Sequence, residues 1–176
     1  ELMKNKRKVF FMDKIIQAEH FLPLLRRSPD GVAQLRGDEN HPTLRGRVRF
    51  WQTAHGVLVV TETTGLPHPT GACQNPVFGF HIHGGNACTG TEADPFADSL
   101  THYNPDGCPH PHHAGDLPPL FGNNGRAFSA VLTDRFTVRE ILGKTVILHS
   151  QPDDFTTQPA GNAGQKIACG VIQKYR

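Results

Sequence analysis

Residues 78–116 read FGFHIHGGNACTGTEADPFADSLTHYNPDGCPHPHHAGD, and this stretch holds six of the eleven histidines of the chain. His81 and His83 stand two residues apart in the alternating run that opens it, and residues two apart on a β-strand point to the same face. Phe80 and Ile82 would then face an apolar core. Four more histidines follow in a loop rich in glycine and proline that ends at Asp116. Imidazole suits copper and zinc, and an aspartate can complete a zinc tetrahedron, so the stretch predicts a metal site. The alternative is a solvated histidine-rich loop.

The length of 176 residues predicts one domain with an appendage, because a chain of this length can bury a substantial core. The 18 glycines and 14 prolines favour many turns and short strands. A net charge of +2 does not argue for nucleic acid or an acidic membrane as partner. No stretch approaches the roughly 20 apolar residues that span a bilayer. The basic residues 4–8 are followed by only a short apolar run, so we expect no signal peptide and a cytoplasmic location.

Two regions differ in their patterns. Residues 1–30 predict a partly helical extension, with Asp13 as its cap and apolar residues at three- and four-residue spacing as far as Leu25. Pro23 interrupts this helix or kinks it. The turn at residues 28–31 marks the boundary with a second region, residues 31–176.

Residues 31–176 predict short β-strands with few helical stretches between them. A turn at residues 54–56 joins two of these strands into a hairpin or meander. The pattern indicates an all-β fold, an antiparallel Greek-key β-sandwich or barrel with a long metal-binding loop. The predicted strands cover residues 32–35, 45–53, 57–63, 77–83, 125–133, 145–150 and 166–173.

Four cysteines, with no CxxC pair among them, leave the redox state open. They are Cys73, Cys88, Cys108 and Cys169. They permit one or two disulfides, and all four can pair in three ways. Reduced, buried thiols are the alternative.

Five short motifs follow one another along the chain in a recognisable order. With these motifs the chain resembles the copper,zinc superoxide dismutase family, and its bacterial branch more than its animal one, over about residues 46–172. The motifs are GFHIH at residues 79–83, HYNP at 102–105, HAGDLP at 113–118, VILH at 146–149 followed by DDF at 153–155, and GNAG at 161–164 leading into ACG at 168–170.

The resemblance implies two metals and a set of residues for each. The implied copper ligands are His81, His83, His102 and His149. The implied zinc ligands are His102, His110, His113 and Asp116, with His102 bridging both metals. It also implies that Asp153 accepts hydrogen bonds from ligating histidines and that Cys88 and Cys169 form a disulfide.

This chain departs from the family pattern in three respects. His112 is an alternative to His110 as zinc ligand, because three histidines lie within four residues. Lys166 stands where the family usually has an arginine, and a lysine keeps the positive charge but loses the planar fork. Cys73 and Cys108 are additional; they can form a second bridge, and the Cys108 thiolate can compete for zinc.

The resemblance implies a superoxide dismutase that forms oxygen and hydrogen peroxide by copper redox cycling. His102 and Lys166 are the implied catalytic residues. A homodimer and a protein that delivers copper are compatible with it. The first alternative is a copper/zinc-binding domain of the same fold with little turnover. The second is a structural or envelope-associated module that uses residues 1–30 for association.

Overall fold

The computed structural model describes residue 19, residues 21–74 and residues 76–176, and these form eight β-strands and two short α-helices. The strands are β1 (Gly31–Gly37), β2 (Arg45–Thr53), β3 (Gly56–Thr64), β4 (Val77–His83), β5 (Asp116–Phe121), β6 (Arg126–Thr133), β7 (Thr145–His149) and β8 (Lys166–Lys174). The helices are α1 (Leu22–Leu25) and α2 (Val138–Ile141).

All eight strands belong to one antiparallel sheet in the order β5-β4-β7-β8-β1-β2-β3-β6. The chain crosses over between β3 and β4 and again between β6 and β7, because neither pair is adjacent in the sheet. The two outer strands, β5 and β6, follow one another across a short turn, and the sheet nearly closes into a barrel. The predicted all-β antiparallel fold is confirmed.

The hairpin of β2 and β3 lies where the alternation predicts it. Thr53 pairs with Gly56, so Ala54 and His55 form the turn. Val48 and Phe50 are fully buried in the main core, whereas arginines occupy the opposite face of β2. Period-two alternation therefore sorts this strand between a buried and a solvated face.

Strand β5 and helix α2 were not predicted. β5 contains Pro118 and Pro119, which cannot donate to a ladder, and its partner in the sheet is β4 alone. Such a sequence is tolerated at a sheet edge but gives no strand signal. α2 begins with a capping box in which the Glu140 backbone N–H donates to the Thr137 side chain and the Thr137 N–H donates to the Glu140 carboxylate. That Thr-x-x-Glu spacing is readable in the sequence.

The predicted N-terminal helix lies partly outside the described residues, which include none of residues 1–18. Within the described part, α1 is a single turn that begins next to Pro23, a position where proline is favoured. Phe21 and Leu24 pack against a small cluster formed by Trp51, Leu58 and Val60 on the outer side of the sheet. None of the described helices is long and apolar enough to cross a membrane.

A disulfide fastens the long loop between β4 and β5 to the barrel. Cys88 in the loop is bonded to Cys169 in β8, which lies 81 residues away in the chain and 5.6 Å away between Cα atoms. Phe96 and Ile147 are buried around the bridge. The implied pairing is confirmed, and Cys73 and Cys108 are free thiols.

Removing this bridge should destabilise the protein strongly. On the loop-closure model, a cross-link over 81 residues contributes about 4.5 kcal/mol. We therefore expect Cys88→Ser to lower the free energy of unfolding of the metal-free protein by about that amount, measured by urea denaturation. Cys73→Ser, at an exposed free thiol, is the matched control and should leave the stability unchanged. A loss below about 1 kcal/mol in Cys88→Ser would contradict the expectation.

Candidate metal centre

Strand β4 carries the first two histidines of the centre. Phe80 and Ile82 enter the main core, and His81 and His83 lie on the opposite face of the strand. That face is also covered, because the loop 84–115 folds over it, and both histidines are at most 2% exposed. The alternating run therefore becomes a strand that is buried on both sides.

The sheet and the loop bring the remaining histidines to this face. β7 pairs with β4, and His149 follows a register shift at the end of β7. His102 forms an isolated bridge with His83, so the loop returns to the strand at that point. Asp116 opens β5 directly opposite His81.

Two groups of buried side chains result, and in each group the potential ligand atoms all lie within 4.8 Å of one another. The first group, called the nitrogen group, is His81, His83, His102 and His149. The second, called the aspartate group, is His102, His110, His113 and Asp116. They are the two sets that the resemblance implies, and they share His102.

In the nitrogen group, each of two histidines uses one ring nitrogen for a hydrogen bond, which leaves the other ring nitrogen free to bind a metal. His83 Nδ1 donates to the Leu100 carbonyl at 2.8 Å, and His149 Nδ1 donates to the Gly164 carbonyl at 3.3 Å. Because a carbonyl only accepts, the Nε2 atom of each neutral ring carries a lone pair. These two Nε2 atoms face each other at 3.3 Å. Two lone pairs at that distance repel unless a cation lies between them.

In the aspartate group, one carboxylate is the common neighbour of the three rings. Asp116 Oδ1 lies 2.7 Å from His102 Nδ1 and 3.4 Å from His113 Nδ1, and Oδ2 lies 3.1 Å from His110 Nδ1. The two Nδ1 atoms of His102 and His113 are 3.4 Å apart. Three nitrogens and one oxygen converge here, a donor set that suits zinc.

The carboxylate of Asp153 connects the two groups. Its oxygens accept from His81 Nε2 at 2.8 Å and from His110 Nε2 at 2.9 Å. Asp153 also accepts from the backbone N–H of Phe155. Gly161 packs so closely against this carboxylate that a Cβ would collide with it. The hydrogen bonds leave the lone pairs of His81 and His110 on Nδ1, facing the metal groups.

Unpartnered buried nitrogens indicate that the residues fit metal ions. His81 Nδ1, His102 Nε2 and His110 Nδ1 are buried and form no hydrogen bond in the described part of the chain. A buried polar atom without a partner costs free energy. All three atoms face a ligand group, so a bound cation would satisfy each of them.

Burial favours the neutral form of four of these imidazoles, those of His81, His83, His113 and His149. It lowers the pKa of His81 and His113 and lowers that of His83 well below its ordinary value. Burial, with repulsion from His81, lowers the pKa of His149 from 6.5 to about 3. Neutral imidazole is the form that binds a metal.

The two carboxylates stay ionised for a different reason. Burial alone would raise the pKa of Asp153 and of Asp116. Several hydrogen bonds and the neighbouring histidines together outweigh burial, led by the bonds from His81 to Asp153 and from His102 to Asp116, and both pKa values lie below their ordinary range. Neutral histidines therefore face ionised aspartates, the combination that a divalent cation requires.

The structure separates His110 from its sequence alternative. His110 is 3% exposed and belongs to the aspartate group, whereas His112 is exposed and belongs to neither group. Cys108 also lies outside both groups; its backbone N–H and carbonyl bond the Asn104 side chain.

Lys166 lies beside the centre, but its ammonium group is already paired. It opens β8 opposite His149. Its Nζ donates to Asp94 Oδ2 at 2.8 Å and to the Phe96 carbonyl at 3.1 Å. The sequence reasoning missed Asp94, since 72 residues separate the two side chains and no local pattern links them.

Arg135 is a second residue that the sequence reasoning missed. Its Nη1 lies within 3.3 Å of the carbonyl oxygens of Pro111, His113 and Asp116 and donates to them. The guanidinium group thus holds the segment that carries the aspartate group in place. A lone arginine after β6 gives no signal of this role.

Known proteins resemble this chain over most of its length. The family model for copper/zinc superoxide dismutase (SODC) matches residues 44–172. The chain is 34% identical over 143 residues to superoxide dismutase (Cu-Zn) 2 of Aquifex aeolicus, covering 73% of this chain and 78% of that protein. It is 34% identical over 139 residues to superoxide dismutase (Cu-Zn) of Legionella pneumophila, covering 75% and 80%. The enzyme of Photobacterium leiognathi is 32% identical over 142 residues, covering 73% and 78%.

The buried neutral histidines predict that the metal-free protein loses stability in acid. Between pH 6.5 and about 3, the unfolded chain binds a proton at His149 that the folded chain does not bind. The free energy of unfolding therefore falls as the pH falls, and His149 alone should contribute about 2 kcal/mol between pH 7.5 and pH 5. Denaturant unfolding in the presence of a chelator measures this slope.

Two variants separate His149 from the other histidines. His149→Asn should make the fall shallower by about the same 2 kcal/mol. His112→Asn, at an exposed site outside both groups, should leave the slope as it is. An unchanged slope in His149→Asn would contradict the assignment.

Proposed function

The chain belongs to the copper/zinc superoxide dismutase family, and we propose that the nitrogen and aspartate groups together form its dismutation site. The family makes it an oxidoreductase with superoxide as substrate. Two superoxide anions and two protons give one dioxygen and one hydrogen peroxide. The observation that carries the proposal is the buried pair of four-ligand groups that share His102.

The donor atoms assign one metal to each group. The nitrogen group would hold copper through His81 Nδ1 and through the Nε2 atoms of His83, His102 and His149, because an all-imidazole set suits copper. The aspartate group would hold zinc through the Nδ1 atoms of His102, His110 and His113 and through Asp116, whose oxygen favours zinc. Copper supplies the one-electron redox change when bound, and zinc supplies a fixed positive charge.

Residues of the protein would orient the imidazole rings and transfer one proton. Asp153, Leu100 and Gly164 each accept a hydrogen bond from a ring that would ligate, which fixes the tautomer and the orientation of that ring. His102 Nε2 is buried and has no hydrogen-bond partner within the described chain. When this atom does not bind copper, it would carry the proton that passes to the reduced substrate, while His102 Nδ1 stays beside Asp116.

Lys166 would attract the substrate anion, with Asp94 setting how strongly. An ammonium group at the end of β8 adjoins the nitrogen group through His149. The Asp94 carboxylate, 2.8 Å away, offsets its charge. Lysine also lacks the planar fork that would hold a diatomic anion in one orientation. We therefore expect Lys166 to act by long-range attraction rather than by tight binding.

A second candidate function follows from the same contact. If the neutralised Lys166 no longer attracts the anion, the chain would be a copper/zinc-binding domain with little turnover.

The homodimer, the copper-delivery partner, the cytoplasmic location and the division at residue 30 stay predictions.

Reconstitution with both metals tests the function. We expect about one copper and one zinc per chain and superoxide dismutation that falls as ionic strength rises. His149→Ala should lose copper and activity but keep zinc, because His149 belongs to the nitrogen group alone. His110→Ala should lose zinc, whereas the matched variant His112→Ala should keep both metals and full activity. Metal content by mass spectrometry and dismutation on the same samples measure these effects.

Full loading with both metals and no activity in the unaltered chain would contradict the enzyme and favour the metal-binding domain. Loss of zinc in His112→Ala but not in His110→Ala would instead overturn the zinc assignment alone.

Removing the negative charge of Asp94 beside Lys166 should raise the rate of reaction with superoxide at low salt. Asp94→Asn leaves the ammonium charge uncompensated, and one unit charge about 10 Å away in water contributes about 0.4 kcal/mol, or about twofold in the association rate. The gain should disappear near physiological salt, where the Debye length is about 8 Å. The second-order rate constant for superoxide at several ionic strengths measures it.

Glu92→Gln is the matched control, since it removes an equal charge from the same loop at an exposed residue. It should change the rate less than Asp94→Asn does. In a Lys166→Gln background, Asp94→Asn should have a smaller effect than in the unaltered chain. An equal effect in both backgrounds would show that Asp94 does not act through Lys166.

A further inference from the structure

A cleft lined by arginines opens on the outer face of the sheet, away from the metal ligands. Its volume is about 360 Å³, and residues 26–29 form one wall while β1 and β2 form the floor. In the sheet order, β7 and β8 separate these strands from β4. The side chains that matter are Arg26, Arg27, Arg47, Arg49, Trp51 and Tyr175.

Four positive charges line this cleft without a carboxylate among its lining residues. Arg49 is paired with Glu62, which lies outside the lining, at 2.8 Å. Arg26, Arg27 and Arg47 form no salt bridge with any described residue. Of these four charges, the structure pairs only that of Arg49 with a carboxylate of the described residues.

The neighbouring strand positions extend the same charge. Arg36 of β1 and Arg45 of β2 stand directly opposite each other in the ladder. Like charges in that position destabilise a sheet. An anion bound over this face would offset the repulsion.

Packing fixes one of the arginine side chains that line the cleft, that of Arg49. The Arg49 guanidinium lies over the Trp51 ring, 5.5 Å from its centroid, and its bond to Glu62 holds the far end. Arg49 Nε is buried and has no acceptor among the described residues. Trp51 Nε1 donates to the Arg27 carbonyl at 3.2 Å, which anchors the wall that carries Arg26 and Arg27. The cleft therefore includes a buried guanidinium N–H donor that has no acceptor among the described residues.

We propose that this arginine cleft binds an anion that carries phosphate groups. Guanidinium groups bind phosphate oxygens through paired N–H donors, and several of them can share one anion. A volume of about 360 Å³ admits a small phosphorylated molecule or a phosphorylated lipid head group. Binding involves no metal ligand, so it stands or fails separately from the dismutase proposal.

Titration of the metal-loaded full chain with sodium tripolyphosphate tests the cleft. We expect saturable binding in calorimetry, and Arg47→Gln should weaken it about tenfold through loss of one charged donor pair. Arg49→Lys keeps the charge but loses the fork and should weaken it to a similar extent. Arg139→Gln, at an exposed arginine outside the cleft, is the matched control and should leave the affinity unchanged.

A second arm of the experiment identifies the source of the phosphate. Cosedimentation with phosphatidylcholine vesicles, with and without phosphatidic acid, reports on lipid head groups. Binding of tripolyphosphate alone would support a soluble ligand, and Arg47-dependent binding to the acidic vesicles would support a lipid. The proposal is overturned if neither binds. It is also overturned if Arg139→Gln weakens binding as much as Arg47→Gln, or if sodium sulfate at equal ionic strength gives the same heat.

Discussion

One buried carboxylate, that of Asp153, connects the barrel to the loop that carries three of the seven potential ligands. It accepts a hydrogen bond from His81 on β4 and another from His110 in the loop. A buried carboxylate without such donors would take up a proton, and the imidazoles without this acceptor would be free to turn. Each partner therefore maintains the state of the other. The rest of the centre depends on this contact because it sets the distance between strand and loop.

Hydrogen bonds and burial hold the ligand atoms close together, and this arrangement would lower the stability of the fold wherever no cation offsets it. Lone pairs of His83 and His149 face each other at 3.3 Å, and further ring nitrogens are buried without partners. Neutral buried histidines add a cost in acid, since the unfolded chain can protonate and the folded one cannot. The Cys88–Cys169 bridge and the continuous core of the barrel offset these costs. Proteins commonly break local rules at functional sites in this way.

Charge is distributed differently on the two sides of the molecule. Next to the metal groups, Lys166 is matched by Asp94, so the protein keeps a moderated positive charge where a small anion would approach. On the outer face of β1 and β2, the arginines are mostly unmatched and a cleft lies between them. The net charge of +2 reveals neither arrangement, because the net charge is a sum over the whole chain, whereas each partner would contact only one surface.

Local patterns in the sequence determined the strands and the types of ligand. The hairpin of β2 and β3 and the histidine pair of β4 follow from period-two alternation, which neighbouring residues set directly. β5 was not predicted from the sequence, because its prolines are tolerated only in an edge strand. Whether a segment forms an edge strand depends on where the other strands lie. The choice of His110 over His112, the partnership of Asp94 with Lys166 and the arginine cleft were decided by the tertiary structure alone. Each depends on burial or on contacts between residues far apart in the chain, and a sequence pattern carries information about neighbours only.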